Sequence, residues 1–239
     1  MKFKILTLFP EMFPGPINHS VTGKALKKKK FQLETINIRD FSINKAKTVD
    51  DTPFGGGAGM IMKADILQNA LTFAKKGFKK NCKIFSLSPS GKKITQSFIK
   101  NLVTSKEIIL ICGRYEGIDQ RFIDYNDIEE ISVGDYILSG GEIASFILID
   151  ACVRLIPEVL GNSESLRSES FHDYLLEYSQ YTKPSIWKKL KVPEVLLTGN
   201  HKKISDWRLK NSLEKTKKIR PELYNLFVKE KKRKLWITF

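Results

Sequence analysis

The stretch that decides the fold is EIILICGRYEGIDQR at residues 107–121, followed by SVGDYILSGGE at residues 132–142. Each glycine-rich segment directly follows a short apolar run. The run Glu107–Cys112 has no polar alternation, which is typical of a strand covered on both faces in a parallel sheet. The loop after such a strand opens at the carboxyl edge of the sheet, where open α/β folds bind ligands. These two loops are therefore predicted to line a ligand site.

The rest of the pattern predicts an α/β fold built on a parallel sheet, because strand and helix alternate through the first 150 residues. The last predicted helix of this region is apolar on all sides, so we expect a second chain to cover one of them in a dimer. Strands are predicted at residues 3–8, 31–38, 83–87, 108–112 and 128–133, and helices at 63–76, 95–103 and 141–155.

Composition narrows the class of protein. A chain of 239 residues can bury a full α/β core and still form a second small domain. No apolar run approaches the ~20 residues of a membrane helix, and the first residues read as a strand and not as a signal peptide. A cytoplasmic protein without membrane contact is expected. Cys82, Cys112 and Cys152 are odd in number and widely spaced, which indicates reduced core thiols and neither disulfides nor a metal site.

Positive charge is concentrated at the end of the chain. Residues 186–239 contain 16 Lys or Arg against 5 Asp or Glu, so they carry most of the net charge of +15. Such a basic module indicates a polyanionic partner, because Lys and Arg that neutralise phosphates release counterions. Biased codon usage is the alternative explanation, since Lys greatly outnumbers Arg. Lys202, Lys203, Lys210 and Lys217 are the predicted phosphate contacts.

The glycines do not form a phosphate-binding loop. Neither loop after the strands contains G-x-G-x-x-G, and the run GGGAG at residues 55–59 lacks the Gly-Lys-Ser/Thr ending of a P-loop. Dinucleotides and nucleoside triphosphates are thus disfavoured as ligands. A ligand recognised through backbone hydrogen bonds and packing around a ring is favoured.

Five motifs, in order along residues 1–225, resemble those of the bacterial tRNA (guanine-N1)-methyltransferase family. The resemblance implies a homodimer of the knotted SPOUT class, with the active site at the subunit interface, tRNA as substrate and S-adenosylmethionine as methyl donor. In that class a deep trefoil knot breaks the usual rule against threaded chains. The family is also associated with Mg²⁺ in the presence of its RNA, for which this sequence shows no site. The motifs are DDTPFGGGAGM (50–60), CGRYEGID (112–119), SVGDYILSGGE (132–142), YTKP (181–184) and VPEVLLTGNH (192–201).

The resemblance also implies which residues hold the methyl donor. They lie in three loops whose backbone groups and apolar side chains suit adenine and ribose. These residues are Leu87, Ser88, Pro89, Gly113, Val133, Gly134, Asp135, Tyr136, Ile137, Leu138, Gly140 and Gly141. Plain core packing is the alternative role for Leu87, Ile137 and Leu138 when each is considered alone.

Methylation of guanine N1 requires a base, because N1 carries a proton and its lone pair is delocalised. A carboxylate would remove that proton and a cation would stabilise the charge that builds on O6. By the resemblance these are Glu169 and Arg154. The family pattern has Asp where this chain has Glu169, which puts the geometry of the base in doubt. Glu164 is the fallback base.

The target guanosine and its neighbours are predicted, again by the resemblance, to contact Asp50, Arg114, Tyr115 and Glu116. Glu accepts from the guanine edge, Tyr stacks, and Arg reaches O6 or phosphate. The predicted domains are a knotted, donor-binding α/β domain at residues 1–160, a serine-rich flexible linker at 161–170, and a basic, mostly helical tRNA-binding domain at 171–239.

Two rival functions fit the same sequence. One is an RNA-binding protein that keeps the fold without catalysis, which the departure at Glu169 favours. The other is a related knotted methyltransferase with a different target atom, such as a ribose oxygen, which would need no base for a ring N1 proton.

Overall fold

The chain divides into two compact units, Met1–Gly161 and Asn162–Phe239, which we describe separately. The computed structural model describes residues 1–160 and 169–237. Most of the predicted linker, 161–168, lies outside the described residues, as does the fallback base Glu164.

The first unit is built on a five-stranded parallel sheet with strand order β2-β1-β6-β5-β7. This confirms the predicted α/β class and all five predicted strands of the sheet. A separate antiparallel pair, β3 and β4, precedes the second helix. The strands are β1 Lys2–Thr7, β2 Gln32–Asn37, β3 Asp50–Asp51, β4 Ile61–Met62, β5 Lys83–Lys93, β6 Glu107–Cys112 and β7 Glu129–Ser132.

Helices cover both faces of this sheet. Successive side chains of a strand point to opposite faces, so an entirely apolar strand places apolar side chains on both. In β6, Ile108 and Leu110 belong to one apolar cluster, whereas Ile109 and Ile111 belong to the other. The third and fifth helices pack on the first face and the second and fourth on the opposite face. The helices are α1 Ser20–Lys27, α2 Ala64–Lys75, α3 Gln96–Leu102, α4 Gln120–Tyr125 and α5 Gly141–Val153.

Strand β5 is longer than the predicted strand, which ends at Leu87. Both Leu87 and Lys92 pair with Ile131 of β7, so the chain bulges out between them and returns to the same neighbour. The return requires glycine at position 91, where a Cβ atom would lie 2.4 Å from the carbonyl carbon of Glu130 and the nitrogen of Ile131. Because the residues that follow Leu87 are mostly polar, the hydrophobic pattern of the sequence does not indicate this second pairing with β7.

Helix α5 is buried along most of its length but not on every side. Leu148 and Ile149 are fully buried, whereas Ile143 and Ile147 are 48% and 42% exposed in the single chain. Two apolar side chains one turn apart thus form an exposed strip on an otherwise buried helix.

Among the residues that the structure describes, the second unit contains a small hairpin and two α-helices. The hairpin pairs β8 Ile186–Trp187 with β9 Leu190–Lys191, and the helices are α6 His201–Ile219 and α7 Pro221–Ile237. Helix α6 begins after Asn200, whose side chain accepts a hydrogen bond from the Lys203 nitrogen and so caps the helix. In the part of the chain that the structure describes, no helix is both long enough and apolar enough to span a membrane.

Candidate active site

A cavity opens at the edge of the sheet where the parallel strands β5, β6 and β7 lie side by side. Its volume is about 410 Å³, within the range of ~300 to 1,000 Å³ usual for small-molecule sites. Its walls come mainly from the bulged part of β5 at residues 86–90 and from the segments at the ends of β6 and β7, residues 113–118 and 132–141.

The predicted donor-binding residues are gathered at this cavity, with one exception. Asp135 is not among the lining residues and forms an exposed ion pair with Lys93, whose Nζ lies 2.6 Å from its carboxylate. The lining residues from the prediction are Leu87, Ser88, Pro89, Gly113, Val133, Gly134, Tyr136, Ile137, Leu138, Gly140 and Gly141.

Three of the four predicted substrate residues, Arg114, Tyr115 and Glu116, line the same cavity. Asp50 does not. It lies in β3, opposite Met62 of β4. Because the Met62 nitrogen donates to the Gly117 carbonyl over 2.9 Å, Asp50 is nevertheless connected to the cavity loop through this short strand pair.

Backbone segments cross very closely at the floor of the cavity. The Gly141 nitrogen donates to the Gly113 carbonyl over 3.0 Å. A Cβ atom at position 141 would lie 2.7 Å from the Cα atom of Cys112, so only glycine fits there without movement of backbone. The thiol of Cys112 is fully buried, and burial, reinforced by the Glu142 carboxylate, raises its pKa well above the usual range. This thiol is therefore not a nucleophile at neutral pH.

Sequence reasoning missed Glu142, which holds Arg114. Its carboxylate is fully buried and accepts from Arg114 Nε at 3.0 Å and from Thr7 Oγ1 at 2.7 Å. The available signal was an acidic residue in the first turn of an otherwise apolar helix, directly after two glycines. Other lining residues that the prediction omitted include Ser86, Ser90, Gln120, Glu130 and Ser139.

The two predicted catalytic residues are not among the residues that line the cavity. Arg154 lies at the carboxyl end of α5, and its backbone nitrogen donates to the backbone carbonyl of Asp150 over 3.1 Å. Glu169 is the first described residue of the second unit, and its backbone carbonyl accepts from the backbone nitrogen of His172 at 3.3 Å. Their catalytic roles stay predictions. Among the described residues, no group of three or more His, Cys, Asp or Glu is placed to hold a metal ion.

The fold and the cavity define an α/β protein with a ligand site at the carboxyl edge of a parallel sheet. Residues 1–226 match the family described as tRNA (Guanine-1)-methyltransferase TrmD. The chain belongs to this family, which implies the SPOUT fold. The resemblance drawn from the sequence motifs is thereby confirmed.

Three relatives illustrate the similarity, each named tRNA (guanine-N(1)-)-methyltransferase. The one from Neorickettsia sennetsu is 52% identical over 223 residues, which cover 93% of this chain and 98% of the relative. The one from Ehrlichia ruminantium (strain Gardel) is 54% identical over 222 residues, or 92% of this chain and 94% of the relative. The one from Rhodospirillum rubrum is 48% identical over 224 residues, or 94% of this chain and 92% of the relative.

Proposed function

We propose that this chain transfers a methyl group from S-adenosylmethionine to N1 of the guanosine 3′ of the anticodon, position 37 of tRNA. The observation that carries the proposal is the family match over residues 1–226, together with relatives of that name that align over nearly their whole length. The enzyme is thus a tRNA (guanine-N1)-methyltransferase that uses S-adenosylmethionine.

The cavity residues suit the methyl donor. Glycines 113, 140 and 141 line the cavity without side chains that would narrow it, and Leu87 and Leu138 supply apolar walls for adenine and ribose. When bound, S-adenosylmethionine supplies a methyl group on a positively charged sulfur. Glu116 and Glu130 also line the cavity, and their negative charge favours a cationic ligand.

In this proposal Glu169 accepts the proton from guanine N1 and Arg154 stabilises the negative charge on O6. Arg114, Tyr115 and Glu116 hold the guanosine and its neighbours, and Asp50 contributes from β3. The extra methylene of Glu169, relative to the Asp of the family pattern, shifts the carboxylate by ~1 Å, which the surrounding chain must accommodate.

We also propose that the chain is a homodimer with the active site at the subunit interface. The exposed strip of Ile143 and Ile147 on α5 supports this, because burial of an apolar face by a second copy is favourable. Two further features support the trefoil knot implied by the family: the passage of Gly141 against Cys112 and the double pairing of Ile131 with β5.

The test is a methyl-transfer assay with unmodified tRNA transcripts that differ only at position 37. We expect transfer to the transcript with guanosine there, with the methyl group on N1 by mass spectrometry of the nucleosides. Transfer to another atom would identify a related methyltransferase instead. Binding of donor and RNA without transfer would identify a non-catalytic RNA-binding protein. A titration of Mg²⁺ in the same assay measures whether the reaction needs that ion.

The same assay tests whether Glu169 is the general base. Glu169→Gln keeps the size of the side chain but cannot accept a proton, so kcat should fall by about 10² to 10⁴-fold while both affinities persist. Glu169→Asp should stay within about tenfold of the parent, equivalent to ~1.4 kcal/mol. Glu222→Gln, at an exposed ion pair with Arg220 in the second unit, is the matched control. Loss of activity in Glu164→Gln with full activity in Glu169→Gln would move the base to Glu164.

A further inference from the structure

Glu142 is a buried charge held by residues far from it in the sequence. Its carboxylate is fully buried, and its two oxygens accept hydrogen bonds from Thr7 Oγ1 and Arg114 Nε at 2.7 and 3.0 Å. Thr7 ends β1, Arg114 follows β6, and Glu142 lies in the first turn of α5. The carboxylate therefore joins the ends of two neighbouring strands to the helix that follows the cavity loop.

Arg114 is fixed by contacts with several parts of the first unit. Nη1 donates to the Ser139 carbonyl over 3.0 Å, and the guanidinium lies 4.4 Å from the centre of the Phe9 ring. The side chain also fills the space over Gly140, where a Cβ atom would lie 2.2 Å from Nε. Arg114 thus lies directly against the loop that closes the cavity before α5.

Nε and Nη1 of Arg114 are committed to protein oxygens, whereas Nη2 is available for a ligand. Among the described residues, the hydrogen-bond partner of Nη2 is the Met12 sulfur at 4.0 Å, and a thioether is a weak acceptor. Arg114 lines the cavity, and about one-fifth of its side chain is exposed. Nε and Nη1 are held by protein oxygens, and Nη2 can donate to phosphate or a base edge.

We propose that Glu142 is a positioning residue for Arg114, which it orients so that the Nη2 edge meets the RNA substrate. The inference rests on the proposed function, in which Arg114 binds tRNA. A buried ion pair adds little net stability compared with a well-packed apolar pair. An effect on the geometry of recognition is therefore the stronger reason for a buried carboxylate at this place.

A double-mutant cycle on Glu142 and Arg114 tests the proposal. Glu142→Gln should lower kcat/KM for tRNA by about 100-fold, the size expected for a misplacement of ~1 Å, mainly through a higher KM. Arg114→Gln should cost about as much. If Glu142 acts through Arg114, the double variant should be no worse than Arg114→Gln alone. The matched control is Glu158→Gln, at an exposed ion pair with Lys30 in the same unit, and it should match the parent.

Additive losses in the cycle would overturn the proposal, as would a Glu142→Gln variant with a lower Tm but an unchanged KM for tRNA. Should Glu142→Gln fail to fold, Thr7→Val removes one hydrogen bond to the carboxylate, together with the acceptor of the Phe9 backbone nitrogen, and should raise KM for tRNA by about tenfold, the value of one hydrogen bond to a charged group. An unchanged KM in a folded Thr7→Val protein would also overturn it. If the parent transfers no methyl group, the proposed function has failed, and the same cycle run on the Kd for tRNA still decides the role of Glu142.

Discussion

The two units of the chain are stabilised in different ways. In the described part of the chain, every buried hydrophobic side chain lies in the first unit, between Phe3 and Val153. The buried side chains of the second unit are Ser212 and Thr216, and its hairpin exposes Ile186, Trp187 and Leu190. The first unit contains 23 Lys or Arg against 17 Asp or Glu in 161 residues, whereas residues 186–239 contain 16 against 5.

Polar contacts replace a hydrophobic core in the second unit. The Thr216 hydroxyl accepts from the Leu176 nitrogen at 2.8 Å and donates to the Ser212 carbonyl over 2.6 Å. The Asn211 side chain likewise accepts from the Ser179 nitrogen at 2.7 Å. Because little apolar area is buried, this unit should have the lower free energy of unfolding of the two. The first unit, which shapes the cavity, is therefore expected to be the more rigid of the two.

The largest expected effect is on the first unit. Gly141→Ala places a Cβ atom 2.7 Å from the Cα atom of Cys112, so the free energy of unfolding of this unit should fall by about 3 kcal/mol. All three cysteines lie in the first unit and all three tryptophans in the second. Thiol labelling in urea therefore reports on the first unit and tryptophan fluorescence on the second.

Burial makes the thiols of Cys112 and Cys152 good reporters, since it raises the pKa of Cys152 to about 12 and keeps the unreactive protonated form in the native state. The control is Gly113→Ala, where the nearest atom to a Cβ would be Ile118 at 3.6 Å, and it should unfold like the parent. A shift of both probes by the same amount in Gly141→Ala would show that the units unfold together and remove the proposed difference in stability.

A second experiment separates the units by charge. If the basic module contacts phosphates, four Lys→Gln changes on α6 should reduce the log–log salt slope of tRNA affinity by ~0.7 to 0.9 per residue. Four exposed lysines at and just after α1 serve as the comparison, with the same change in net charge. The α6 set is Lys202, Lys203, Lys210 and Lys217, and the comparison set is Lys24, Lys27, Lys28 and Lys29. Equal flattening by both sets would mean that affinity depends on net charge and not on the second unit.

The smallest expected effect concerns Thr216. Thr216→Val removes the acceptor of the partly buried Leu176 backbone nitrogen, so the free energy of unfolding of the second unit, measured by tryptophan fluorescence in urea, should fall by about 1 to 3 kcal/mol. Thr72→Val, measured by thiol labelling of the first unit, is the control, because Thr72 on α2 makes the same bond to the carbonyl four residues before it but is exposed. No difference between the two variants would contradict polar anchoring of the second unit.

Most of the sheet could be predicted from the sequence because its signals are local. The apolar run Glu107–Cys112 indicated a buried parallel strand, which lies where predicted, and the loop that follows it lines the cavity. The end of β5 could not be predicted, because its last residues are polar. They pair with β7 only because the chain bulges out after Leu87 and Lys92 then pairs with Ile131 again. Helix α4 was also missed, because six residues give too short a pattern.

By itself the sequence determined the α/β class, the family and the three loops of the cavity, because burial periodicity and long glycine motifs are properties of contiguous residues. Only the tertiary structure decided that Glu142 pairs with Arg114 and with Thr7, which is 135 positions away. It also decided that Asp135, which is predicted to contact the donor, forms an ion pair with Lys93. The partner of a charged side chain depends on which strands become neighbours, and that order is set by the packing of the whole unit and not by any local pattern.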